Sequence, residues 1–139
     1  MHKWWALLVP LVVLAGGCGT SLEKQAQRAK AAEYVGSSEP AAYVGTWKAK
    51  MPPPIDYETV VVLRADGTGS ENLWDGAHDF RWQLKGNQVV AWSRTGDRQM
   101  TMTCLVSKDG KYLNIAHEAS RSSGGTRHSE SGTGYLVKE

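Results

Sequence analysis

The 139-residue chain is poor in the residues from which most reactive sites are built. It has two Cys, Cys18 and Cys104, and lacks both Cys-x-x-Cys and His-x-x-x-His. His78-Asp79, His117-Glu118 and His128 therefore stand outside any metal-ligand spacing, and no metal site is expected. Ser is plentiful, yet Gly-x-Ser-x-Gly does not occur. Glu58 and Asp75 could approach across a hairpin, where rim charges are the simpler account. No group of residues meets the geometric roles of catalysis, so neither an enzyme nor a cofactor is expected. Charge of one sign is missing too: 16 basic residues balance 14 acidic ones, a net +2. That balance excludes a strongly basic nucleic-acid binder and a polybasic membrane module. Phe occurs once, against six Trp, five Tyr and 15 Gly. With 41% hydrophobic and 22% charged residues the rest is an ordinary globular balance, and the length suits one domain.

The one long apolar run, Trp4 to Leu14, follows the short positive head Met1-His2-Lys3. As a helix it would reach ~16 Å at ~1.5 Å per residue, short of the ~30 Å bilayer core. Pro10 interrupts it. The stretch Leu14-Ala15-Gly16-Gly17-Cys18 resembles the lipobox of a bacterial lipoprotein signal peptide. The resemblance implies cleavage before Cys18, acylation of Cys18, and a bilayer as the partner of that anchor. Several acyl chains on one residue would make the anchor stable, since one chain is marginal. Gly19 rather than Asp follows the Cys, which in the enteric sorting rule implies the outer membrane, with the protein facing the periplasm. With Cys18 acylated, Cys104 has no intramolecular partner.

Residues 18–42 form the acylated Cys and a polar tether. Leu22 to Ala32 is rich in Ala, Lys, Gln and Glu; a polar helix there has no face to bury. From Tyr43 the punctuation changes. Asp66-Gly67, Asp75-Gly76, Gly86-Asn87, Gly96-Asp97 and Asp109-Gly110 recur at a hairpin rhythm. Strands are expected at about 44–50, 57–64, 68–74, 78–85, 88–95, 98–106, 111–118 and 134–138. Eight strands joined mostly by tight turns make an antiparallel up-and-down meander, and closing it removes the exposed edges.

Register can be set at two hairpins. With Gly86-Asn87 as a two-residue turn, Leu84 faces Val89, Trp82 faces Ala91 and Phe80 faces Ser93. Arg81 then opposes Trp92 on the polar side, an exposed cation–π pairing. With Asp109-Gly110 in a like turn, Val106 faces Leu113, Cys104 faces Ile115 and Met102 faces His117. Cys104 thus falls in an apolar row and is expected buried and inert. The Asp66-Gly67 hairpin pairs less cleanly and suggests a bulge.

Four segments carry a resemblance to the lipocalin-like, or calycin-type, barrels of small bacterial lipoproteins. They are Gly45-Thr46-Trp47, Asp66-Gly67-Thr68-Gly69, Phe80-Arg81-Trp82 before Gly86-Asn87, and Gly134-Tyr135-Leu136. The likeness spans residues 43–139 and implies that Trp47 packs across the closed end of the barrel. The Thr-Asp-Tyr motif of that family is absent.

The sequence leaves two places where a binding module could work. A small apolar pocket lined by Trp74, Phe80, Trp82 and Met102 would take a small apolar ligand; core filling is the alternative use of those side chains. The segment Ala119 to Thr133 reads as a flexible, solvated insertion whose Arg121, Arg127 and His128 would offer a cationic tip to an anionic envelope partner. A structural or inhibitor-type envelope lipoprotein with a filled barrel is the competing reading.

Overall fold

A computed structural model describes residues 21–50, 58–73 and 76–139. The leader, Cys18 and Trp74 lie outside the described residues. The chain runs from helix α1 (Ser21–Ala31) through a 3-10 turn (Pro40–Ala42) into eight strands. These are β1 (Gly45–Lys50), β2 (Glu58–Leu63), β3 (Thr68–Glu71), β4 (His78–Lys85), β5 (Gln88–Thr95), β6 (Arg98–Val106), β7 (Tyr112–Ser123) and β8 (Thr126–Lys138). They form a closed antiparallel up-and-down barrel in sequence order, an architecture compatible with a lipocalin-like fold.

The expected registers are present. Trp82 pairs with Ala91 and Leu84 with Val89 across the Gly86-Asn87 turn. Met102 pairs with His117, Cys104 with Ile115 and Val106 with Leu113. The period of two then sends alternate residues inward. Along β6, Met100, Met102, Cys104 and Val106 are buried while Thr101 and Thr103 are exposed. The awkward β2–β3 hairpin is resolved by its turn. The N–H of Gly67 bonds the Arg64 carbonyl, and Gly67 sits at φ 85°, so the extra residue is absorbed there. Val61 and Leu63 face inward as a result, with Val60 and Val62 half-buried outside.

The barrel has a closed end. Trp47 is fully buried, and its indole N–H donates to the Tyr43 carbonyl at 2.9 Å. The Lys138 ammonium lies 5.5 Å from the centre of its ring. Tyr43 is fully buried beside it, donating from its hydroxyl to the Asn87 carbonyl and accepting from the Val106 N–H at 3.4 Å. One tyrosine thus ties the β4–β5 turn to the end of β6. Closure itself is narrow: β1 pairs with β8 at Trp47↔Lys138 and Lys48↔Val137.

Two expectations are corrected. Residues 119–133 are not a loop: β7 and β8 continue through them as a ribbon, joined at Gly124-Gly125 with φ of 57° and 79°. Both central residues at positive φ make this the kind of two-residue turn that matches strand twist. The polar side chains concealed it, because neither face shows apolar alternation and the backbone ladder holds the pairing. The second correction concerns the tether. Its helix, expected to have no face to bury, does bury one, and the segment after it is fastened to the barrel: Gly36 donates to the Val106 carbonyl, Ser37 to the Asn87 carbonyl, and Lys108 to the Glu33 carbonyl. Tyr34 stacks on Tyr135 at 5.5 Å, and Ala29 of α1 is buried. A Cβ on Gly36 would sit 2.3 Å from the Asn87 carbonyl oxygen, so only glycine lets the strap lie this close.

Trp47→Ala is expected to destabilise the barrel by about 3–5 kcal/mol, whereas Trp92→Ala on the outer wall loses less than about 1 kcal/mol. Urea unfolding of the two variants checks this; equal losses would contradict a closing role for Trp47.

Candidate functional site

The interior is occupied by its own side chains. Phe80, Trp82 and Met102 are brought together in one packed core and are 4%, 7% and 1% exposed. Trp82 is further pinned, since its indole N–H donates to the Arg64 and Thr68 carbonyls, both at 3.0 Å. Gly69 leaves the space that the Phe80 ring fills: a Cβ there would meet Phe80 Cε1 at 2.4 Å. Cys104 lies in the same core, and burial pushes its thiol up to about 12, so no thiolate forms near neutrality.

Away from Trp47 the inward rows turn polar. Glu71 at the end of β3 and Arg98 at the start of β6 meet across the interior, with Arg98 Nη2 at 3.1 Å from Glu71 Oε1 and 3.4 Å from Oε2. Both side chains are essentially fully buried. Burial raises the Glu71 carboxyl above its usual range, and Arg98 pulls it back only in part. Arg121 sits opposite Arg98 in the β6–β7 ladder. His117 lies one inward position past Ala119, in the space that Gly132 leaves open. Its two ring nitrogens are buried without a hydrogen-bond partner among the described residues. Burial therefore holds its pKa below the ordinary histidine value. Among the described residues no group of three or more His, Cys, Asp or Glu is placed to hold a metal.

The outer wall of β3, β4 and β5 carries a groove of about 600 Å³. Trp92 is 41% exposed there, and Arg81 opposes it directly in the ladder, as its register requires. Arg64, Arg94, Asp79 and Thr68 line the same groove. Arg81 and Trp92 were legible from the hairpin register. Arg94 follows from it as well, two residues beyond Trp92 on the same face. Arg64 was not legible, because the β2–β3 turn that aims it had no clean register.

The three cationic residues of the expected tip do not gather. Arg121 pairs with His128, and Arg127 pairs one step further along with Ser122. Adjacent positions on a ribbon point to opposite faces, so Arg127 is turned away from Arg121 and His128. Arg127 donates instead to the Ser120 hydroxyl at 2.7 Å. Comparison with family models, with curated proteins and with solved structures finds no match to this chain.

Removing one partner of the buried pair, as in Glu71→Ala, is expected to destabilise by about 3–5 kcal/mol because Arg98 stays charged in the interior. The double variant Glu71→Leu/Arg98→Met should recover much of that loss in chemical denaturation; a double variant no better than the single one would show that the pair itself supplies net stability. His117 generates a pH effect. Its folded pKa is depressed, so the unfolded chain takes up the proton first, near ~6.5, and stability falls as pH drops through that value. Melting curves of the wild type and of His117→Leu should diverge between about pH 7 and 5, with the variant less sensitive. Parallel curves would remove His117 from the effect.

Proposed function

We propose that the chain is a lipid-anchored protein of the bacterial cell envelope, held by acylated Cys18 in the outer membrane and facing the periplasm. It belongs, on this reading, with the small lipocalin-like lipoproteins. The barrel is a non-catalytic binding module that engages an envelope partner through its outer wall. The observation that carries the second part is the contrast between inside and outside. Phe80, Trp82 and Met102 spend their surface on one another in the core, while Trp92 is offered to solvent in a groove. An exposed Trp ringed by polar groups is a common anchor of recognition surfaces. The anchor rests on the lipobox residues alone; among the described residues no helix is long and apolar enough to cross a membrane.

A small apolar ligand is the second reading, favoured by the contiguity of Phe80, Trp82 and Met102. Such a ligand would have to displace packed side chains. A structural or inhibitor-type role needs no ligand and uses the same filled barrel.

Cys18→Ala should abolish incorporation of labelled fatty acid and move the protein out of the membrane fraction. Persistence in the membrane would overturn the lipid anchor. Titration of the wild type with fatty acids and an apolar dye should leave Trp fluorescence unchanged; a saturable response lost in Trp82→Ala would favour the apolar-ligand reading instead.

A further inference from the structure

We infer that the β3–β5 groove is a binding site for an acidic glycan, a sugar chain carrying carboxylate or phosphate groups. The inference rests on the outer wall being the binding face and is independent of the anchor. The groove is lined by three arginines, Arg64, Arg81 and Arg94, and one acidic residue, Asp79; Arg64 also has the Asp66 carboxylate near it, which leaves Arg81 and Arg94 as the excess charge. Arg81 and Arg94 have no ion-pair partner among the described residues. Like charges lining one groove repel one another, and an anion between them relieves that repulsion. Guanidinium groups suit carboxylate and phosphate oxygens because two N–H bonds can be made in one plane.

Trp92 decides what carries the anion. Its ring is the one large apolar surface exposed in the groove, since Phe80 beside it is buried. A protein partner needs an apolar interface core built from several such residues. A single flat indole in a polar groove suits a sugar ring, whose polarised C–H bonds meet the negative face of the indole while its hydroxyls stay at the polar rim. Trp92 pairs with Thr101, and beyond it lies a second groove of about 460 Å³ lined by Ser and Thr hydroxyls together with Arg127, Glu118 and Glu130. Its two carboxylates disfavour an anionic chain, so the acidic sugar is assigned to the groove around Trp92 alone.

The test is calorimetric titration of the full chain, purified from whichever fraction holds it and kept in neutral detergent, with four polymers. Polygalacturonate and a phosphomannan carry the two kinds of anion on sugars, dextran is a neutral glycan, and polyglutamate carries carboxylates without sugars. Binding to at least one acidic glycan is expected, weakening with added salt. Trp92→Ala and the pair Arg81→Gln/Arg94→Gln should each weaken it by roughly tenfold or more. These positions are on the surface, and unchanged thermal melting confirms that the variants fold. Several outcomes overturn the inference: no binding to either acidic glycan, equal binding to dextran, polyglutamate binding as tightly with no dependence on Trp92, or indifference to all three substitutions. If glycan binding fails while the chain still captures an envelope partner, the wall remains a binding face and only the ligand assigned to it is wrong.

Discussion

The burial of one indole holds the barrel shut. Trp47 sits where β1, β8 and the N-terminal strap converge, with its N–H satisfied by Tyr43 and the Lys138 ammonium over its ring. β1 and β8 share few ladder pairs, so backbone hydrogen bonds alone make a thin seam. The side chain that fills the end of the cavity supplies what the seam lacks. Tyr43 extends the same device to the β4–β5 turn and the end of β6. The strap's backbone bonds to Val106 and Asn87 then lie over this plug. The segment after α1 is thus in part the lid of the closed end.

A squat barrel of this size has an interior just wide enough for side chains. Here the side chains take it: apolar ones around Phe80, Trp82 and Met102, and the Glu71–Arg98 pair beyond them. That pair is a poor source of net stability, because desolvating both charges offsets most of their attraction. It does penalise any arrangement in which β3 and β6 fail to face each other. Recognition is left to the outer wall, where the outward rows of the same strands put Trp92, Arg81 and Arg94 side by side.

The strands before residue 119 were legible because tight turns fix register locally. Once Gly86-Asn87 or Asp109-Gly110 is placed, every partner on the two strands follows, and Cys104 must be buried. The β7–β8 ribbon was missed although Gly124-Gly125 is itself a hairpin signal. Its strands carry Ser, Arg, Thr and Glu on both faces, and periodicity is silent where neither face is apolar. Strand geometry, which composition does not reveal, turns Arg127 to the opposite face from Arg121 and His128.

Residue order alone set the succession of hairpins, the pairing across Gly86-Asn87 and Asp109-Gly110, and the inward rows of the strands those two turns join. Those are short-range consequences of turn chemistry and a period of two. That Glu71 meets Arg98, that the segment after α1 is strapped to the barrel, and that Arg64 lines the same groove as Arg81, Arg94 and Trp92 came from the packing of the whole barrel. These contacts join strands and segments that no single turn connects. They depend on the curvature and closure of the whole sheet, and neither property is written in any one hairpin.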